Sequence, residues 1–336
     1  MITINDNFSL RSHNTFGIDV RAKKFIEYSS LEDLRSFLLE GGFQPPFLHI
    51  GSGSNLLFLK DYEGTILHSK IESIEIVAED DSSIVLRVGS GLNWDEFVAY
   101  TVKNKWYGLE NLSLIPGEVG ASAVQNIGAY GVEVKDVIAL VETIDLAGVI
   151  RHFTPSECEY AYRDSIFKNP ENKNLIVTHV HYKLSKKEQY KLSYKSLKKA
   201  IQELGTISLE LVRNTVIQIR EDKLPDPQEI GNAGSFFMNP IVNRAHFDSI
   251  QAQYPDMPYY QLSEDAFKIP AGWMIDVCGW KGKKLGNAGV HDKQALVLVN
   301  KGGATGADVL RLSQTIQEDV YKRFKVEIHP EVNFIG

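Results

Sequence analysis

Three short stretches of the chain gather residue types that hold or transform a ligand. The first, "GSGSN", places Gly51, Ser52, Gly53, Ser54 and Asn55 directly after the apolar run "PFLHI". Successive amides of small residues can form a concave nest for an anion such as a phosphate. The second, "IPGEVGASAVQNIGAYG", spreads Gly117, Gly120, Ala121, Ser122, Ala123, Gly128, Ala129 and Gly131 through a segment with few side chains long enough to fill a core. Such a segment suits backbone lying against a flat or charged ligand, with Gln125 and Asn126 offering amide hydrogen bonds. The third, "GNAGSFFMNP", isolates Ser235 between Gly234 and Phe236. It reads either as a strand entry with two core phenylalanines, or as a place where Gly234 lets a ligand reach the backbone and Ser235 presents a hydroxyl to it.

The standard nucleotide motifs do not account for these loops. Leu56 stands where G-x-G-x-x-G needs its third glycine, and no helix pattern begins there, so the Rossmann fingerprint fails. No Gly-Lys-Ser/Thr occurs to make a P-loop. Two small-residue loops about 60 positions apart, both after apolar strands, favour a dinucleotide held between two subdomains over a glycine-rich structural crossover.

The elements that must position these loops follow from spacing. Ser30 caps a predicted helix with Leu31, Leu34, Phe37 and Leu38 on one face, ending at Gly41-Gly42. "SIEIVAEDDSSIVLRVGSG" reads as a hairpin turning at Glu79 to Ser82, and a helix starts at Asn93 with Trp94, Phe97 and Thr101 inward. Residues 134 to 184 are strand-rich. Helices return at "KSLKKAIQEL" and at "SLELVRNTVIQIRED", the latter with a stripe of Leu209, Val212, Val216 and Ile219. "KLPDP" stops that helix and sets a boundary near 215 to 225. A last helix, capped at Thr305 with Asp308 three residues on, leads into "VEIHPEVNFIG".

Composition bounds the class. With 336 residues, 43% hydrophobic and 24% charged, the chain exceeds what one core usually supports, so two or three domains are expected. A net charge of -7 with scattered Lys and Arg gives no footprint for nucleic acid. No apolar run is long enough to span a bilayer and no targeting segment opens the chain, so a soluble, cytoplasmic protein is expected. Two cysteines without C-x-x-C, and nine histidines without H-x-x-x-H, support neither a disulfide framework nor a metal cage.

Taken in order, "HNTFGI", "GSGSNLL", "IPGEVGASAVQNIGAYG", "YRDSIFK", "KLPDP", "GNAGSFFMNP", "IPAGWMID", "GNAGVHDKQALVLVN" and "PEVNFIG" resemble the UDP-N-acetylenolpyruvoylglucosamine reductases, or UDP-N-acetylmuramate dehydrogenases, the MurB family of bacterial cell-wall synthesis. The motifs run from residue 13 to the last residue. The resemblance implies an α+β chain with a two-subdomain FAD-binding fold of the vanillyl-alcohol-oxidase/PCMH type and a third, α/β substrate-binding domain. It implies non-covalent FAD and NADPH as reductant, NADPH leaving before UDP-N-acetylglucosamine enolpyruvate enters the same cleft. The implied segments are 1–70 with 325–336 and 71–214 for FAD, and 215–324 for substrate. A monomer is expected.

Carried over residue by residue, the resemblance places the catalytic serine on Ser235, the arginine on Arg163 and the glutamate on Glu331. The cofactor falls to residues 51 to 55 and to Gly117, Ala121, Ser122, Gln125, Asn126, Gly128 and Gly131. The substrate falls to Tyr130, Arg220, Lys223, Asn239 and Gln294, and "LSYKSL" matches the subclass whose extra loop carries a clamping tyrosine, here Tyr194. Met238 stands where some relatives carry lysine, a secondary polar contact that this chain lacks.

The chemistry asks for such residues. Hydride reaching the terminal carbon of an enolpyruvyl ether builds charge on the carbon beside the carboxylate, giving an enolate dianion. A guanidinium such as Arg163 can bind carboxylate oxygens in a bidentate fork, and preorganised charge of this kind is usually the largest catalytic contribution. Glu331 fits only when it carries or shares a proton, because a bare second carboxylate would repel the intermediate. Ser235 then donates a proton to carbon. Two other readings keep the glycine loops: an oxidase of the same fold, which has no need of Ser235 with Glu331, and a flavin or nucleotide-sugar binding protein without turnover, which has no need of all three.

Overall fold

A computed structural model describes residues 1–202 and 206–336. Helices and sheets mix throughout, and two compact units divide the chain. Met1–Phe8, Ala22–Ser52 and Glu63–Asp222 form the first, and Ser9–Arg21, Gly53–Tyr62 and Lys223–Gly336 the second.

The first unit is built on two sheets. Strands Ile2–Ser9, Arg21–Tyr28, Tyr62–Ser69 and Phe47–Ile50 lie in that order, the last two parallel with Phe47 opposite Thr65. Helix α1, Leu31–Leu39, begins where the sequence places it: the Ser30 hydroxyl accepts the Asp33 amide at 3.0 Å. Leu34 and Leu38 turn inward onto Ile26, Tyr28, Leu67 and Ile71. Each fully buried leucine contributes about 1.5–3 kcal/mol.

The second sheet is antiparallel, in the order Ile150–Phe153, Ile138–Ile144, Ile176–Ser185, Ser83–Gly89 and Ile74–Glu79. The last two are the predicted hairpin, its turn closed by Asp80 Oδ1 accepting the amides of Ser82 and Ser83. One face, with Leu86, Val88, Val141, Val180, Tyr182 and Leu184, packs on α2 (Trp94–Lys103) and α3 (Val119–Gln125). Asn93 Oδ1 caps α2 through the Glu96 amide.

Helix α3 is an element the sequence reading does not name; it takes the glycine-dense stretch as backbone lying against a flat or charged ligand. Val119 and Ala123, four residues apart, are both fully buried. Burial of that face, rather than propensity, supports so short a helix. Gly120 serves close packing, since a Cβ there would stand 2.7 Å from Ser90 Cβ.

Helices α4 (Lys195–Gln202) and α5 (Leu209–Lys223) close the first unit around Leu197, Ile201, Val212 and Val216. The end of the helix expected over "KSLKKAIQEL", Glu203 and Leu204, lies outside the described residues.

In the second unit, strands Asn232–Ser235, Val297–Asn300, Ala288–Val290 and Lys284–Leu285 form an antiparallel sheet in that order. A smaller sheet joins Ile241–Val242, Phe267–Lys268 and Tyr260–Gln261, and Asn333–Ile335 pairs parallel with Leu56–Phe58. Helices α6 (Arg244–Gln253), α7 (Ala271–Val277) and α8 (Gly306–Phe324) complete it. The Thr305–Asp308 capping box starts α8, and Val309, Leu312, Ile316 and Val320 are all fully buried, as the sequence spacing requires. Among the described residues no helix is long and apolar enough to cross a membrane.

Candidate active site

In the first unit the two glycine loops touch. A Cβ on Gly51 would lie 3.2 Å from Glu118 Oε2 and 3.5 Å from Ala121 Cβ, so the first loop lies in close contact with α3. Beside it, the Ser52 Oγ is buried without a hydrogen-bond partner. A buried orphan hydroxyl asks for an explanation, and a phosphate oxygen laid in the loop supplies one.

His68 joins Glu27 and Glu118 in a part-buried ion cluster that sequence reasoning missed. His68 donates from Nδ1 to Glu27 Oε1 at 2.9 Å and from Nε2 to Glu118 Oε1 at 3.0 Å. Burial opposes charging His68, but Glu118 and Glu27 together outweigh it and raise its pKa. Burial also raises the pKa of Glu118, with His68 acting against that rise.

His68→Gln leaves the two carboxylates uncompensated and should lower stability by about 3 kcal/mol at neutral pH, read from the urea midpoint. The folded-state pKa of His68 lies above its ordinary value of about 6.5. Its contribution is therefore complete below that pH and lost as pH rises through the folded value. The gap between wild type and variant should narrow in alkaline buffer, and a gap that stays constant would contradict a charged His68.

The second glycine loop also builds the seat of Arg163. Its Nη2 donates to Gly128 O at 2.7 Å and its Nη1 to Asn126 O at 3.5 Å. A Cβ on Gly128 would stand 2.9 Å from Nη1, so glycine is what admits the guanidinium. Asn126 ends α3 in the left-handed conformation, φ 46°, and its Nδ2 donates to Ala161 O at 2.8 Å. The Ser122 hydroxyl donates to Val119 O and meets Tyr182 Oη at 2.9 Å. Three positions that the sequence reading gives to the cofactor thus have duties within the fold, two of them in holding Arg163.

The tyrosines Tyr130 and Tyr194 meet edge to face, centroids 5.4 Å apart at 84°. Tyr130 is left-handed, φ 48°, and is followed by Gly131 at φ 82°. Burial raises the pKa of the Tyr130 phenol, and its partner Arg220 acts against that rise. Arg220 Nε donates to Leu114 O at 3.2 Å, while the Leu114 amide donates to Asp95 Oδ1 at 2.5 Å. Asp95 in turn takes both ends of the Arg213 fork, at 2.7 and 2.8 Å. These bonds fix both peptide groups of Leu114, three residues before Gly117. Nothing in the sequence links Asp95 to a residue 118 positions away.

In the second unit the remaining motifs converge. Thr15 of "HNTFGI" donates its amide to Gly53 O at 3.3 Å and accepts the Asn232 amide at 2.9 Å. A Cβ on Gly53 would stand 2.1 Å from His13 O, and one on Gly231 would stand 2.3 Å from Phe16 O, so both glycines are required by close backbone approach.

Ser235 ends its strand opposite Val297, after an irregularity in register, and is exposed, while Phe236 and Phe237 behind it are buried. Gly234 has φ 65° and no protein atom within 4 Å of a would-be Cβ. The glycine is demanded by its backbone conformation, and the space before it is already open.

Residues 236–238 run against 329–331. The Glu331 amide donates to Phe236 O at 2.8 Å, the Met238 amide to His329 O at 2.9 Å, and Phe237 bridges Pro330. Glu331 is thereby set beside the residue after Ser235. Asn55 Nδ2, also in this unit, donates to Glu331 O at 3.2 Å. Gln294 lies three residues before Val297, its Oε1 against Gly272. Asn239 Oδ1 accepts the Ala271 amide at the start of α7, and Lys223 is exposed at the end of α5. A cavity of about 680 Å³ in this unit, between Phe16–Val20, Leu59–Asp61 and Gly302–Gly306, is lined by none of these residues.

Residues 24–154 match the FAD binding domain, and residues 226–335 match the C-terminal domain of UDP-N-acetylenolpyruvoylglucosamine reductase. The reductase of Bacteroides fragilis is 60% identical over 99% of this chain and 100% of its own length. That of Porphyromonas gingivalis is 48% identical over 99% of each. The crystal structure of the Thermus caldophilus enzyme superposes with a TM-score of 0.70 at 23% identity, covering 100% of this chain and 99% of that one, and so shares its fold. With whole-length identity at this level behind both domain matches, the chain belongs to the UDP-N-acetylenolpyruvoylglucosamine reductase family.

Proposed function

We propose that this chain reduces UDP-N-acetylglucosamine enolpyruvate to UDP-N-acetylmuramate with NADPH through FAD, as a step in peptidoglycan precursor synthesis, and that it acts in the cytoplasm as a monomer. The observation that supports the catalytic assignment is the backbone pairing of Glu331 with Phe236, which brings the main chain of Glu331 beside the residue that follows the exposed Ser235. The family supplies the reaction, and Ser235 and Glu331 are the residues proposed for its proton chemistry.

FAD, when bound, carries the hydride from NADPH to the enolpyruvyl group. Gly51 and Ser52 in the first unit, with Gly117, Ala121 and Gln125 of the second loop, are the residues proposed to hold it. The orphan Ser52 hydroxyl and the contact of Gly51 with α3 fit that task. In the second unit Gly53, Ser54 and Asn55 continue the first loop.

Arg163, seated on Gly128 and Asn126, is the guanidinium proposed to meet the substrate carboxylate, where charge develops. Ser235 gives its proton to the carbon beside that carboxylate. Glu331, protonated or sharing a proton with the enolate oxygen, keeps the dianion from facing a second bare carboxylate. Tyr130, Tyr194, Arg220, Lys223, Asn239 and Gln294 bind the sugar nucleotide, Tyr194 as the clamp of the tyrosine-loop subclass.

The test is consumption of NADPH by the FAD-loaded protein with and without the enolpyruvyl sugar nucleotide, with NADH as a second reductant. Consumption that requires the sugar nucleotide and prefers NADPH is expected. Consumption that ignores the sugar nucleotide and follows dioxygen would assign the chain to flavin oxidases instead. Acid precipitation should leave the flavin in the supernatant, because the reading has FAD held without a covalent bond.

A further inference from the structure

We propose that Asn111 is a positioning residue for sugar-nucleotide binding, a pin that fixes the placement of Tyr130 relative to Tyr194. The inference rests on the reading of those two tyrosines as substrate-binding residues. Asn111 lies in the short 3-10 turn Glu110–Leu112 and is 1% exposed. Its Nδ2 donates twice, to Tyr130 O at 3.0 Å and to Lys191 O at 2.8 Å. One carbonyl is that of the first tyrosine and the other lies three residues before the second. A single amide therefore spans two segments that have no sequence proximity and sets the main chain of both.

The turn that carries the pin is itself rigid. Trp94 Nε1 donates to Leu112 O at 2.8 Å, the Gly108 amide to the Glu110 carboxylate at 2.8 Å, and the Ser113 hydroxyl to Glu110 O at 2.7 Å. The pinned segment is under strain, since Tyr130 holds φ 48° with a full side chain. Such a conformation costs about 1–3 kcal/mol and persists only where the surroundings over-determine it. Apolar packing of Tyr130, Tyr190 and Leu192 onto Leu197 and Val216 fills the space around it, but packing is non-directional. The two amide bonds supply the direction.

The other end of the same side chain has no such duty. Asn111 Oδ1 is buried without a partner, a position that costs about 1–3 kcal/mol. What this amide alone provides is two donors from one nitrogen.

The experiment compares Asn111→Asp, which keeps the shape and removes both donors, with Asn111→Ser, which keeps one donor in less volume, each in the FAD-loaded enzyme. The KM for UDP-N-acetylglucosamine enolpyruvate should rise about tenfold in Asn111→Asp, equivalent to about 1.4 kcal/mol, with kcat far less affected. Asn111→Ser should fall between wild type and Asn111→Asp, and it alone carries the test if Asn111→Asp does not fold. Each is then placed in a Tyr194→Ala background. Because Asn111 acts through the tyrosine pair, its effect on KM should shrink there. The same factor in both backgrounds, or no rise in KM from either variant while Tyr194→Ala raises it, would overturn the pin and leave the tyrosine reading standing. A Tyr194→Ala enzyme with unchanged KM would overturn the tyrosine reading itself, and the pin with it.

Discussion

Replacing Ser235 by alanine should slow oxidation of the reduced enzyme by the enolpyruvyl sugar nucleotide about 10²–10⁴-fold, the usual cost of losing one positioned general acid. Reduction by NADPH should be nearly unchanged, because that half-reaction needs no proton delivered to carbon. Ser235 is exposed at the end of its strand and its side chain fills no core position, so the variant should fold normally. Rapid mixing resolves the two half-reactions. Equal slowing of both would remove Ser235 from the role of proton donor and make it a packing or turn residue.

Arg163→Lys should cost about 10²–10³-fold in kcat, the range seen when one preorganised charge donor at a developing oxyanion is lost. Lysine retains the charge but not the planar fork, so it cannot hold two carbonyls of the loop and also present a bidentate face. The structural half of this is visible: Nη2 binds Gly128 O at 2.7 Å, and Gly128 lacks a Cβ where Nη1 passes. Leaving Gly128 O unpaired should lower stability by about 1 kcal/mol, far too little to explain the rate. A thermal melt alongside the kinetics separates the two effects, and a variant with unchanged kcat would show that the charge at Arg163 acts through something other than its fork.

How much of this was legible beforehand depended on whether the signal was local. The caps at Ser30, Asn93 and Thr305, and the stripe from Val309 to Val320, are written in four or five neighbouring residues, and the helices start where those residues place them. Helix α3 was hidden by its own composition: glycines and alanines suggest backbone laid against a ligand, and only the buried neighbours Ser90 and Tyr182 show a packed face. Gly234 invited an argument about space, whereas its φ of 65° is the requirement.

The nine ordered motifs name the family because each is long and their order is fixed, but they do not say why each residue is there. Gly53 and Gly231 are needed because "HNTFGI" runs against both, a relation between segments far apart in sequence. The supports of the site are the least legible. His68 between Glu27 and Glu118, Asp95 gripping Arg213, and Asn111 reaching Tyr130 and Lys191 are each single polar residues with no motif around them. A polar residue destined for burial looks in sequence like one destined for the surface, and only its partner, unknown until the chain folds, tells them apart.

The most direct test of the central claim is an anaerobic visible spectrum of the purified protein, recorded before and after one equivalent of NADPH and again after UDP-N-acetylglucosamine enolpyruvate. Flavin absorbance that bleaches with NADPH and returns with the enolpyruvyl sugar nucleotide is the predicted result, and it shows cofactor, reductant and substrate in one sample. A protein that stays colourless after reconstitution with FAD, or a bleached flavin that the sugar nucleotide does not restore, would contradict the account.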